Sequence, residues 1–257
     1  MAVKCIHCGG PCSEKGGEYE CEFCGATFGK GELAPASVKH ATVAGDSGAD
    51  VFEKNINGIL EISCAGRKGS WSGSGYIFSE NGYAITNAHV AADEVDGKPC
   101  KKMVVRVCNQ TIPATCVALA DDRAGNGNGI DLAIIKLAQM PAKATALSFE
   151  EPDKLRNGEP VYVIGNSLGQ GTCITSGIIS DKARNIGGLN YIMTDCAVNG
   201  GNSGGPIFNQ KGLVIGTITL QGRTHSGTDA EGMNYAIPAK IVQQFIEKVE
   251  RTGRVRF

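Results

Sequence analysis

From about Val51 onward the chain runs in short apolar or alternating stretches broken by turn residues, the period-two pattern of strands. In "GYIFSENGYAITN" two such runs flank Asn81-Gly82, a pair suited to the positive φ angles of a tight hairpin. "MVVRVCN", "DLAIIKL", "PVYVIG", "TSGIIS", "NYIMTD", "GPIFNQKGLVIGTITL" and "MNYAIP" continue the series. Short strands over about 190 residues predict an all-β double barrel or sandwich. The period changes at the end. In "PAKIVQQFIEKVER", Ile241, Val242, Phe245, Ile246 and Val249 recur at helical spacing, which predicts an amphipathic helix after Pro238 that docks its apolar stripe on the strands.

The first 50 residues lack this pattern and divide the chain into three. Residues 1–29 hold five of the eleven cysteines and read as a small module. Residues 30–50, "KGELAPASVKHATVAGDSGAD", are rich in Ala, Gly and Ser and read as a linker. Residues 51–257 form the strand-rich domain.

In the module, Cys5-x2-Cys8 and Cys21-x2-Cys24 are each followed by a glycine, Gly9 and Gly25, that lets the backbone fold round an ion. Four thiolates close a tetrahedral site with no open position, so the expected cofactor is one structural Zn2+ ion in a zinc ribbon. So short a module cannot hold itself together by burial, and metal binding would supply its folding energy. Two redox Cys-x-x-Cys pairs, or coincidence, are the alternatives. With two lysines against four glutamates the module is a poor surface for phosphate, so nucleic acid is disfavoured and a protein partner is expected for it.

Charge adds little: a formal net charge of -1 suggests neither nucleic acid nor an anionic membrane as partner. The 36 glycines suit tight turns better than helix packing. No apolar run reaches the roughly 18 residues of a membrane span. "MAVKCIHCGG" shows no secretory pattern, so the expected location is cytoplasmic, where thiols stay free or bind metal. The six later cysteines, Cys64, Cys100, Cys108, Cys116, Cys173 and Cys196, have no metal spacing and are expected as small core or surface residues.

Candidate chemistry centres on "NGGNSGGP", Asn199 to Pro206. Ser203 there also fits the G-x-S-x-G nucleophile elbow, but an elbow needs a helix after the serine and its acid before its histidine. Here Pro206 leads into strand-like runs, and no acid lies between Ser203 and His225. The order His, Asp, Ser remains. His7 falls in the cysteine module, His40 in the linker and His225 in a polar stretch, which leaves His89 in "YAITNAHV" as general base. Asp131 opens "DLAIIKL", where a carboxylate entering an apolar strand needs a partner; Asp93, Asp96, Asp121 and Asp122 sit in polar surroundings. Gly201 and Ser203 can aim their amides at one point as an oxyanion hole.

"TNAHV", "DLAIIKL" and "GNSGGP" together resemble the chymotrypsin-like serine peptidases, and the HtrA/Deg branch in particular. "GSGYIFSENGYAITNAHV", "VYVIGNSLGQGTCITSGIIS", "TDCAVNGGNSGGPIFNQKGLVIG" and "MNYAIPAKIV" follow that branch's order over roughly residues 51 to 250. The resemblance implies two six-stranded β-barrels with an active site between them: His89 as base, Asp131 as orienting acid, Ser203 as nucleophile, and the Gly201 and Ser203 amides as oxyanion hole. It implies an endopeptidase acting on polypeptides through an acyl-enzyme. It also implies a substrate pocket beside Ala197, Thr217, Ile218, Thr219, Leu220, Ala236 and Ile237, with no acid for Lys or Arg, hence cleavage after small or medium apolar residues. The alternative is a zinc-ribbon scaffold whose peptidase domain is latent. Two departures stand out: a PDZ domain is not expected, and Asn202 replaces the aspartate that in zymogen-type relatives pairs with a newly cut N-terminus.

Overall fold

The structure, a computed structural model, describes residues 3, 5, 10–22, 24–29, 45–93, 95–120, 130–151, 154–223, 229–253 and 257, with the backbone alone at 220–223 and 229. It divides into two compact units, Met1–Ala44 and Gly45–Phe257.

In the first unit, β1 (Cys12–Lys15), β2 (Glu18–Cys21) and β3 (Thr27–Gly29) form one antiparallel sheet in that order. The β1–β2 hairpin turns through Gly16 and Gly17, at φ +64 and +94, a pair of positive angles that two glycines adopt without strain. Among the described residues, Cys5, Cys21 and Phe28 are the buried ones of this unit. That core is too small to be the main source of stability.

The second unit opens with α1 (Gly48–Asn55). Ser47 and Asp50 form a reciprocal capping box at its start, and Val51 is fully buried. The Asp46 amide donates to the Gln210 carbonyl oxygen at 2.7 Å. Residues 45–50 thus pack with the strand domain, where a linker was expected; the serine and aspartate of "DSGAD" act as a helix start.

Two closed barrels follow. The first joins β4 (Ile59–Gly66), β5 (Gly69–Ile77), β6 (Tyr83–Thr86), β7 (Lys102–Val107), β8 (Gln110–Leu119) and β9 (Ala133–Leu137) in the order β4-β5-β6-β9-β8-β7. The second joins β10 (Pro160–Gly165), β11 (Cys173–Ile186), β12 (Leu189–Thr194), β13 (Pro206–Asn209), β14 (Val214–Arg223) and β15 (Asp229–Pro238) in the order β10-β11-β12-β15-β14-β13. The expected hairpin turn is present, with Gly82 at φ +76 between β5 and β6. Closure removes the free sheet edges that open strands would present.

Each barrel fills its interior with the inward set of its alternating residues, such as Leu60, Ile62, Val105 and Ile135 in the first and Val161, Val163, Ile192 and Ile215 in the second. A third cluster spans both barrels, with Tyr76, Ile85 and Ile134 from one, and Ile164, Phe208 and Ile237 from the other. Each such aliphatic or aromatic side chain contributes about 1.5–3 kcal/mol by leaving water. The expected helix is α3 (Ala239–Glu250); Val242 and Phe245 are buried in the shared cluster, with Ile241, Ile246 and Val249 packed against it. The all-β double barrel with a C-terminal helix is therefore present as expected.

Candidate active site

β6 ends at Thr86 and leads into the short helix α2 (Ala88–Ala91), which carries His89. Ala88, Val90 and Ala91 are buried, so the helix is anchored and the histidine is fixed beside the barrel. Thr86 pairs with Ala133 at the start of β9, which brings Asp131, two residues earlier, beside His89. Asp131 Oδ1 accepts the His89 backbone N–H at 2.9 Å, and Asp131 Oδ2 lies 2.6 Å from His89 Nδ1. The Thr219 hydroxyl donates to Asp131 Oδ2 at 2.8 Å, and Asn87 Nδ2 donates to the Asp131 carbonyl oxygen at 2.7 Å. Burial pushes the Asp131 carboxyl up. The hydrogen bonds from His89, with that from the Thr219 hydroxyl, outweigh that and hold it below its ordinary value. An ionised Asp131 requires a proton on Nδ1, and the neutral imidazole then carries its lone pair on Nε2.

Ser203 lies in the loop that enters β13. Gly201 has φ +96, and the Asn202 amide donates to the Asn199 carbonyl oxygen at 3.1 Å. A positive φ at the third residue of such a turn selects the type II orientation of its central peptide, here the one joining Gly200 to Gly201. Neighbouring groups hold that orientation. The Leu168 amide donates to the Gly200 carbonyl oxygen at 2.7 Å, and the Ser74 hydroxyl donates to the Gly201 carbonyl oxygen at 2.7 Å. The Ser74 amide donates to the Ser203 carbonyl oxygen at 2.8 Å. With these carbonyls engaged, the Gly201 and Ser203 amides donate to no group among the described residues.

Three glycines let this loop approach the histidine. A Cβ on Gly73 would meet the Val90 methyls at 2.6 Å and the Ser203 carbonyl oxygen at 3.2 Å. One on Gly204 would collide with the Ser74 carbonyl, the Thr86 hydroxyl and the Asn87 amide. One on Gly201 would fall on the Asn166 carbonyl oxygen. Ser203 is thereby seated between β5 and the end of β6, next to the helix that carries His89; among the described residues its hydroxyl makes no hydrogen bond, to His89 or otherwise. If Ser203 is the nucleophile that the resemblance implies, replacing Gly201 by alanine is expected to lower kcat/KM on a peptide substrate by about 100-fold or more, because its left-handed φ and the backbone oxygen leave a methyl no room. Steady-state kinetics beside circular dichroism check this, and near wild-type turnover would count against the loop assignment.

Asn202 is buried, and its Oδ1 has no partner among the described residues. A carboxylate in its place would be a buried charge and would need a compensating partner.

The structure distributes the expected pocket residues differently. Thr217 and the Tyr76 hydroxyl are hydrogen-bonded at 2.8 Å inside the molecule, Ile218 and Ala236 belong to the second barrel's interior, and Ile237 to the shared cluster. Thr219 faces Asp131, Ala197 is exposed, and the Leu220 side chain lies outside the described residues. The run "GTITL" alternates threonines with apolar residues, and a register shift between Ile218 and Leu220 interrupts the alternation along it. Ser74, Asn87 and Leu168, which hold the site together, had no signal of their own in the sequence, and Thr219 was expected only as a pocket residue.

In the first unit the sulfurs of Cys5, Cys21 and Cys24 all lie within 4.8 Å of one another. The Cys24 amide donates to Cys21 Sγ at 3.4 Å, and Gly25 follows at φ +71. Cys8, His7, His40, His225, Asp121 and Asp122 lie outside the described residues.

The family model described as "Trypsin-like peptidase domain" matches residues 73–216, more than half of the chain. The chain belongs to this family. Its trypsin-like peptidase domain is similar to a "Probable periplasmic serine endoprotease DegP-like" of Ectopseudomonas mendocina, 37% identical over 186 residues, which are 71% of this chain and 36% of that protein. It is also similar to "Serine endoprotease DegS" of Haemophilus influenzae, 34% identical over 191 residues, covering 71% of this chain and 51% of the relative. The chain thus matches between a third and about half of these relatives' length. Among solved structures, "HtrA-type protease AlgW with tripeptide" superposes with a TM-score of 0.68 at 29% identity, over 81% of this chain and 65% of that one. The serine endoprotease from Yersinia pestis gives 0.66 at 28%, over 81% and 68%. The likeness of the trypsin-like peptidase domain to the HtrA/Deg branch is thus found in sequence and in fold. One expectation is overturned: several relatives are named as periplasmic enzymes, which contradicts the cytoplasmic location read from the N-terminal residues.

Proposed function

We propose that the protein is a serine endopeptidase that cleaves polypeptides through an acyl-enzyme. The observation that carries the reading is the Asp131–His89 hydrogen bond of 2.6 Å beside a loop whose Gly201 and Ser203 amides are both free to donate. In this reading His89 Nε2 takes the Ser203 proton as Oγ attacks the scissile carbonyl, and Asp131 stabilises the imidazolium that forms. The two amides receive the oxyanion, each such donor contributing roughly 3–4 kcal/mol to the barrier reduction. The imidazolium then protonates the leaving amine, and water repeats the sequence to release the acyl group.

A fluorophosphonate probe is expected to label wild-type protein at Ser203, located by peptide mass spectrometry. Folded protein that takes up no label would sink this reading and favour a binding scaffold, the arrangement the unbonded Ser203 hydroxyl also permits. The buried, apolar Val198 precedes the loop, and the Asp195 carboxylate accepts the Ile178 amide at 2.7 Å. These support a preference for Val, Ala or Leu before the cut bond. A peptide-library cleavage map dominated by Lys or Arg would refute that preference.

For residues 1–29 the reading is a zinc ribbon followed by a linker, with Cys5, Cys8, Cys21 and Cys24 holding one Zn2+ and its folded surface offered to a protein partner. Three converging thiols, with Cys24 followed by a glycine at positive φ, support it. One zinc per chain is expected by atomic emission, and strong chelation is expected to melt this unit while the barrels keep their far-ultraviolet signal. Metal-free protein whose first unit stays protected from hydrogen exchange would contradict it.

A further inference from the structure

Two cysteines with no sequence relation meet in the first barrel. Cys64 lies on β4, 2% exposed, and Cys100 lies just ahead of β7; their Sγ atoms are 3.1 Å apart across 36 residues of chain. The strand register explains the meeting. Cys64 pairs with Met103 and Ala65 with Lys102, while the Cys100 amide donates to the Ala91 carbonyl oxygen at 2.9 Å and turns that residue back toward β4. The pair is not part of a metal cluster: among the described residues, the cysteines that gather closely enough to hold an ion are Cys5, Cys21 and Cys24.

We propose that Cys64 and Cys100 are a dithiol site that oxidises to a disulfide by exchange with a small-molecule disulfide of the glutathione class. A disulfide has its sulfurs about 2.05 Å apart, so closure draws the two atoms together by about 1 Å. Their exposure also sets an order of attack. Cys100 is partly exposed and can meet the incoming disulfide, whereas Cys64, whose Sγ accepts the Cys100 thiol hydrogen, is buried. The Cys100 thiolate therefore attacks the incoming disulfide, whose S–S bond breaks and whose first thiolate departs and takes up a proton. Cys64 then gives up its proton and attacks Cys100 Sγ, expelling the second thiolate, which is protonated in turn. Two protein thiols and one external disulfide become one protein disulfide and two external thiols.

The ring so closed contains β5, β6 and α2, and with them Gly73 and His89. Oxidation would staple the segment that carries the proposed base to β4. By loop-closure entropy alone this is expected to raise the thermal midpoint by roughly 8–15 °C.

Full-length protein equilibrated with oxidised glutathione, alkylated and digested without reduction, is expected to yield a linked Cys64–Cys100 peptide. The link should disappear on treatment with dithiothreitol and be absent in Cys100→Ser, whose half-exposed position tolerates the change; Cys64→Val gives an independent control for the buried partner. A persistent glutathione adduct on Cys100 without the linked peptide would overturn the proposal. So would linkage among other cysteines with this pair left reduced, or a linked form that melts no higher than the reduced one.

Discussion

Ser203→Ala is expected to lower peptide hydrolysis by about 10⁴- to 10⁶-fold and to abolish fluorophosphonate labelling, with little change in stability. The magnitude follows from the proposed mechanism: without Oγ there would be no covalent intermediate, and the remaining acceleration would come from substrate positioning and the Gly201 and Ser203 amides. Stability should hardly move, because the hydroxyl makes no hydrogen bond among the described residues and its removal orphans no buried partner. Single-turnover kinetics and a thermal melt read both quantities. Hydrolysis by Ser203→Ala at the wild-type rate would mean that the chemistry lies elsewhere.

Asp131→Asn should be nearly as severe, with kcat at neutral pH falling by about 10⁴-fold while KM changes little. An asparagine can still accept the His89 amide at Oδ1, but the atom facing Nδ1 becomes an NH2 donor. The ring must then place its proton on Nε2, where the Ser203 proton has to arrive. The same substitution gives a second readout. The Asp131 carboxyl is depressed in the folded state, so its stabilising contribution is complete above the unfolded value of about 3.9 and is lost as pH falls through the lower folded value. Asp131→Asn should therefore show a shallower loss of stability below about pH 4 than wild type. A kcat near wild type at neutral pH would remove Asp131 from its orienting role.

The parts of the molecule legible in the sequence are those where one residue type answers one physical demand. Asn81-Gly82 marked a hairpin because Gly82 needs a positive φ, and the stripe of Ile241, Val242 and Phe245 marked a docked helix because its spacing fits one face. Asp131 was singled out because a carboxylate entering an apolar strand needs a partner, and His89 is that partner. The parts that were not legible depend on which chain segments meet. Thr219 reaches Asp131 from 88 residues away, and the Ser74 hydroxyl reaches the Gly201 carbonyl across 127. Neither threonine nor serine announces such a role by its neighbours. The surroundings of single strand residues were hidden for a related reason: Thr217 and Thr219 sit two apart on β14, yet one bonds Tyr76 in the interior and the other Asp131 at the site. The linker boundary was drawn at residue 50 because Ser47 and Asp50 lie in a stretch of small residues, although they cap a helix.

The seating of the Ser203 loop bears on how this sequence can vary. Gly73, Gly201 and Gly204 bring no functional group to the reaction, and each stands where any added carbon would strike a neighbour essential to alignment. A domain built this way has almost no freedom at three positions that are chemically blank. In a saturation library selected for activity, the emptiest columns beside His89, Asp131 and Ser203 would belong to residues with no side chain at all.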